Sequence, residues 1–264
     1  MKPKHLRLVT SVAFAALLWG PSLALAQTAP PSLGTAQSFA VLGGQTVTNT
    51  GPSVITGNLG VSPGTAVPGF PPGIVNGTIH AADAVALQAQ TDVTTAYNAL
   101  AAQACMADMT GQDLGGRTLT PGVYCFTSSA QLTGTLTLNA QGNAAAVFIF
   151  KIASTLTTAS NSLVSVTNGG SNCSVFWQVG SSATLGTGTT FAGNILALTS
   201  ITLNTGATVS GRDLARNGAV TLDSNTVNAS ACGAAVPALP EWAMITLTAL
   251  LALAAFTAMR RRAV

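Results

Sequence analysis

Few side chains in this sequence can do acid–base or nucleophilic chemistry, and they are scattered. Charged residues make up 6% of 264 positions, against roughly 25% in an ordinary soluble domain. His80 is the only histidine beyond the first apolar stretch, so no second imidazole can join it as ligand or base. Asp213 and Asp223 are the only acids between residue 114 and the tail. Glycoside hydrolysis needs a close carboxylate pair, and lyases need clustered acids for calcium beside a base. The repeat described below puts these two aspartates on different faces. No enzyme activity, metal or cofactor is therefore expected. What the chain has in quantity is threonine, 36 residues, with 45 Ala and 27 Gly. Each Thr carries a hydroxyl and a methyl on one stiff β-branched stem. Such a group breaks no bonds, but held at a fixed spacing it makes a patterned surface.

The spacing comes from an internal repeat. Ala183-Thr184-Leu185-Gly186-Thr187-Gly188-Thr189-Thr190 aligns with Ile201-Thr202-Leu203-Asn204-Thr205-Gly206-Ala207-Thr208, 18 residues later. Val220-Thr221-Leu222 to Thr226-Val227 is a third copy, one residue shorter. Thr155-Leu156-Thr157-Thr158 to Asn161 matches upstream across an insertion, and Thr137-Leu138-Asn139 more weakly. Short β-favouring pieces between glycine corners at such a period read as a β-solenoid. Strand alternation then sends Leu138, Leu156, Leu185, Leu203 and Leu222 inward. Thr137, Thr155, Thr184, Thr202 and Thr221 form an outward column. A second outward line runs through Asn161, Thr190, Thr208 and Thr226, with Val209 and Val227 turned in. The remaining face, with Arg212, Asp213 and Arg216, reads as solvated surface.

One segment breaks the β pattern. Residues 80–104 lack Gly and Pro and are rich in Ala, which predicts a helix. Val85, Ala89, Val93, Ala96, Tyr97 and Leu100 mark its apolar face, which must lie against the side of the coils. Asp83 suits the first turn, and His80 a surface position where the helix begins.

The two ends read as addresses. Residues 1–26 have a basic start, an apolar stretch from Val9 to Trp19, and Ala24-Leu25-Ala26, the pattern of a secretory signal peptide. Residues 27–37 follow as a linker and 38–232 as the domain. Export permits disulfides, and Cys105, Cys125, Cys173 and Cys232 allow three pairings. Sequence proximity favours Cys105 with Cys125 and Cys173 with Cys232. At the other end, Pro237-Ala238-Leu239-Pro240-Glu241-Trp242 closes a segment 233–242. An uncharged run 243–259 is long enough for a membrane helix, with Arg260, Arg261 and Arg262 expected on the cytoplasmic side in the last stretch, 260–264. This tripartite end resembles bacterial sorting signals of the PEP/IPTL type, which implies transfer to the cell surface, while a plain anchor would look the same. Six of the ten basic residues lie at these ends, so the middle has four positive and six negative charges. Binding to nucleic acid has no electrostatic basis there.

From about Ser38 to Val227 the chain resembles the DUF3494 ice-binding family. The matching stretches include Gly57-Asn58-Leu59-Gly60-Val61-Ser62-Pro63-Gly64, Leu119-Thr120-Pro121-Gly122-Val123-Tyr124, Val175-Phe176-Trp177-Gln178-Val179-Gly180 and Ala215-Arg216-Asn217-Gly218-Ala219-Val220. The resemblance implies a discontinuous, right-handed β-solenoid of triangular section with one long helix alongside. It also implies that a monomer adsorbs to ice through a flat face. The family's Thr-(Ala/Gly)-x-(Thr/Asn) signature carries over to Thr158-Ala159-Ser160-Asn161, Thr187-Gly188-Thr189-Thr190 and Thr205-Gly206-Ala207-Thr208. Asp223-Ser224-Asn225-Thr226 departs from it. The expected ice-contacting set is Thr155, Thr158, Asn161, Thr184, Thr187, Thr189, Thr190, Thr202, Thr205, Thr208, Thr221 and Thr226. The rival reading is a surface adhesin binding polysaccharide or neighbouring cells. Sugar-binding faces stack aromatic rings, however, and Trp177 is the only tryptophan between leader and tail.

Overall fold

The β-branched and small residues between glycine corners form short strands because each coil of chain finds its hydrogen-bond partners in the next. A computed structural model of the protein describes residues 29–230. The leader 1–26, Cys232 and everything in 233–264 fall outside the described residues. Within them the fold is mostly β with one α-helix. The named strands pair in parallel in a 15-stranded and a six-stranded sheet. Thr190 pairs with Thr208 and Thr208 with Thr226, so the chain returns beside itself at the period of the repeat.

Chain order and spatial order differ at one place. Phe39–Gly43 pairs with Thr208–Ala215, Val47–Thr50 with Val220–Asp223, and Val54–Thr56 with Thr226–Asn228. The N-terminal segment thus stacks on the C-terminal coil, and Ile79–Ala81 ends that side. The chain then crosses to the opposite end, where Ala107–Asp108 pairs with Gly122–Phe126. The helix Ala84–Ala101 makes that crossing. Its 18 residues span about 27 Å, most of the distance across the strands it covers.

The helix begins where the sequence supplies a cap. Asp83 accepts a 2.8 Å hydrogen bond from the Ala86 amide, which with His80 at 2.7 Å holds its carboxyl below the usual range. The helix is shorter than the predicted 80–104, because Ile79–Ala81, which includes His80, is drawn into the sheet. Its buried face is Ala86, Ala89, Gln90, Val93, Ala96, Tyr97 and Leu100. Val85, expected on that face, is 45% exposed. Seven residues back from Val93 is about 20° off the buried stripe, whereas eight is about 80° off, so Ala86 faces in.

Two apolar layers result. Inside the coils, Trp177 stacks on Phe150 with centroids 3.9 Å apart, and Tyr124 and Phe191 flank the pair. The Trp177 indole donates to the Ala192 carbonyl at 3.0 Å. Between coils and helix, Ile149, Phe176, Leu196 and Leu214 meet Val93, Ala96 and Leu100. This second layer overturns the expectation of a solvated face at Arg212, which is 2% exposed, while Asp213, 0% exposed, points the other way, into the coils beside Ile195 and Val41. The helix and the N-terminal turn cover that side. Arg212 donates to the Gln37 carbonyl and to Asn194, and burial lowers its pKa to about 10. Arg216 is half-buried, its guanidinium 4.7 Å above the Tyr97 ring.

Candidate functional site

The six-stranded sheet runs in the order Ala130–Leu132, Leu156–Thr158, Ala183–Leu185, Ile201–Leu203, Val220–Asp223, Val47–Thr50. Alternation packs one side into the core: Leu132, Leu156, Leu185, Leu203, Leu222 and Val47 are buried. The other side carries a single register line. Gln131 pairs with Thr157, Thr157 with Thr184, Thr184 with Thr202, Thr202 with Thr221, and Thr221 with Thr48. Each residue of this line is exposed or half-exposed. Five adjacent strands therefore present threonine at the same position, one rung every 4.7–4.9 Å. The line itself bears no charge. Parallel pairing and the packed leucines beneath fix each stem, so little side-chain freedom remains to be lost on contact with a surface.

At the corner where this sheet ends, each coil turns through a left-handed residue. Asn161, Gly188, Gly206, Ser224 and Gly51 all have φ between 55° and 74°. Thr187 and Thr205 precede two of these turns and are exposed. The Gly188 amide donates to the Thr205 carbonyl at 3.0 Å, which keeps the two in step. Beyond the corner, Thr190, Thr208 and Thr226 form a second exposed or half-exposed line. Leu163 precedes it, with Thr135 beyond, and Val54 and Ile74 continue it, so it is interrupted on one side and turns aliphatic on the other.

The predicted residues fall into three groups. Thr184, Thr202 and Thr221 share the first line, Thr187 and Thr205 the corner, and Thr190, Thr208 and Thr226 the second line. Thr158 and Thr189 are buried. Their hydroxyls lie 2.8 Å apart, the Thr158 oxygen accepts from the Gly186 amide, and Thr189 donates to the Ala159 carbonyl. They lock the corner from inside. Thr155 sits one line over, in the row of Ser182, and donates to Ser129 at 2.9 Å. Thr137 belongs to another strand, opposite Ser165 and Thr118, and Asn161 to the corner column. The misplacement of Thr155 has a simple cause. Leu156 pairs with Ala183 rather than Leu185, a slip of two residues that leaves the inward and outward faces unchanged. Sequence reasoning missed Thr157 and Thr48. The signal for Thr48 was present, since Val47-Thr48-Asn49-Thr50 has the outward Thr of Val220-Thr221-Leu222-Asp223.

Cys105 and Cys125 are disulfide-bonded, as proximity suggested. Cys173 is disulfide-bonded as well, while Cys232, its expected partner, lies outside the described residues. Trp177 is buried in the core and offers no ring to a sugar.

A mostly β domain of parallel strands, with one crossing helix and a threonine-lined sheet, is the architecture of a known group. The chain belongs to the Ice-binding-like family, whose model matches residues 41–228. Residues 234–261 match the IPTL-CTERM motif. The chain is 65% identical over 201 residues to an ice-binding protein of Nostoc sp. (strain HG1), covering 76% of this chain and 74% of that one. It superposes with a TM-score of 0.75 on the crystal structure of an ice-binding protein from an Antarctic biological consortium, at 51% identity and 76% and 92% coverage. The ice-binding protein of the Antarctic ascomycete Antarctomyces psychrotrophicus gives 0.74 at 44% identity, over 76% and 98%.

Proposed function

We propose that this chain binds ice and restrains its growth and recrystallisation, and that the contact is the outward side of the six-stranded sheet. The observation that carries this reading is the unbroken register of Thr157, Thr184, Thr202, Thr221 and Thr48. Ice offers neither charge nor pocket, only ordered oxygens for which liquid water competes. A binder must present a flat, stiff, weakly hydrated array whose methyls shelter ordered water and whose hydroxyls anchor it. Charged groups would hold their own hydration instead. Once adsorbed, molecules that do not desorb force the ice front to bulge between them, and the curved front freezes only at a lower temperature. Thr187 and Thr205 extend the contact at its corner. Thr190, Thr208 and Thr226 form a secondary line, interrupted by Leu163 and running out into Val54 and Ile74, which makes it the poorer match. Thr158 and Thr189 serve the site from below.

In this reading the fold is a discontinuous right-handed β-solenoid of triangular section, and the protein acts as a monomer. Its leader directs export, and the tripartite C-terminal end, matched by the sorting motif, delivers it to the cell surface. Before processing, the apolar run 243–259 holds it in the membrane. No helix among the described residues is long and apolar enough to cross one.

The test is thermal hysteresis of the purified protein and of two tyrosine variants. Thr202→Tyr, at the centre of the first line, is expected to cut hysteresis roughly fivefold or more by lifting the array off the ice, with an unchanged melting temperature. Thr208→Tyr on the second line is expected to retain most of it. The reverse pattern would move the site to the other face.

A further inference from the structure

The corner of the proposed ice-binding sheet contains one charged group that the rest of the array avoids. Corner residues in the family pattern run Thr187 and Thr205, and the next rung places Asp223 there, on the strand Val220–Asp223. Two details give this substitution more than a local effect. The Thr205 hydroxyl donates to the Asp223 carboxylate, so its hydrogen is turned along the protein instead of toward the water outside. The Ser224 hydroxyl donates to the same carboxylate at 3.2 Å. One aspartate thus claims two neighbouring hydroxyls and brings a hydration shell of its own. Among the described residues no arginine or lysine forms an ion pair with it.

The geometry points to Asp223 as an internal brake on ice affinity, a residue that interrupts the corner line after Thr187 and Thr205, ties up the Thr205 hydroxyl, and limits the effective array to the uncharged column beside it. This rests on the ice-binding reading above. A carboxylate at the rim of a weakly hydrated surface must either shed bound water on docking or keep it and hold the surface away, and both weaken adsorption. Replacing it by threonine would restore the hydroxyl-and-methyl pair in the slot and free the Thr205 hydroxyl. Replacing it by asparagine would keep the size and the acceptor but remove the charge. The strand is not expected to depend on the carboxylate. Its backbone pairs with Val47–Thr50 and Ile201–Leu203, and the Asp223 amide donates to the Asn225 side chain at 2.6 Å.

The experiment compares thermal hysteresis of the full-length purified protein with that of Asp223→Thr and Asp223→Asn at equal concentrations, with melting temperature measured alongside. Asp108→Asn, on the edge strand Ala107–Asp108 away from the sheet, removes the same charge elsewhere. Asp223→Thr is expected to raise hysteresis roughly twofold and Asp223→Asn by less, with Asp108→Asn matching the parent. If the parent is active and both position-223 variants, or the folded one of the two, match it or fall below it, Asp223 is not a brake and the inference is overturned alone. If Asp108→Asn rises equally, net charge is responsible and the inference is again overturned. A parent without hysteresis would overturn the ice-binding reading itself.

Discussion

At the scale of single residues, the threonine column and the buried aspartate obey the same rule in opposite ways. A threonine of the first line keeps its hydroxyl at the surface because it points to the outward side of the strand; where it is bonded, as Thr48 to Thr221 at 3.4 Å, the partner lies in the same line. Asp213 has the inward orientation, opposite Ile195 and Val41, both core residues. Neither of its carboxylate oxygens has a hydrogen-bond partner. Burial raises its pKa from 3.8 to about 8, so the folded protein holds a proton there that the unfolded chain has released. The folded-state pKa is raised, so the stability it brings is fully present below about pH 4 and is lost as pH rises through about 8. Melting temperature should therefore fall across that window, by an amount reflecting a few kcal/mol, and Asp213→Asn should flatten the fall. A parent curve no steeper than that of the variant would show the carboxyl to be solvated or paired. The sequence disclosed little of this. Arg212 looks like ordinary surface until the helix and the Gln37 turn are known to cover it, and long-range covering leaves no local trace; Asp213 beside it is turned into the coils instead.

Elements were more legible, because their signals are periodic. The alternation of Thr and Leu fixed which side of each strand is buried, and it held even where the register slipped by two between Leu156 and Ala183. Parity survives an even slip, but the identity of neighbours does not, so Thr155 was assigned to the wrong line; Thr137 belongs to a different strand altogether. Corner geometry decides the register. The left-handed column places Asn161 beside Gly188, and Gly206 beside Ser224. Four of its members are Gly or Asn, which tolerate that conformation, and Ser224 at φ 55° is the exception. Ser224→Gly should therefore stabilise the protein by about 1 kcal/mol in denaturant unfolding, and a loss of stability would mean the Ser224 hydroxyl contributes more than the strain costs. The helix was foreseen from composition, but its start was not. Asp83 caps a helix only because Ile79–Ala81 is claimed by the sheet.

For the whole molecule, the crossing helix and the return of the N-terminal segment make the ends of the chain interdependent. Thr48 joins the threonine column only because Val47–Thr50 stacks on Val220–Asp223, a pairing across most of the sequence whose only local trace is the shared Val-Thr-x pattern. The Cys105–Cys125 bond closes a separation of 20 residues at the opposite end, worth about 3 kcal/mol by loop-closure entropy. Replacing Cys105 and Cys125 together by Ser should lower the melting temperature by roughly 6–12 °C, and an unchanged value would mean that end is held by packing alone. The mostly β, parallel-paired character was visible in the repeat and in the resemblance, whereas the composition of the threonine line awaited the register. The account stands most directly on whether that face meets ice. Slow growth of a single ice crystal from a solution of the labelled protein, with Thr202→Tyr in parallel, measures it. The parent should be enriched in the ice phase and the variant left in the liquid. Equal partitioning of the two would contradict the assignment of the threonine sheet as the contact.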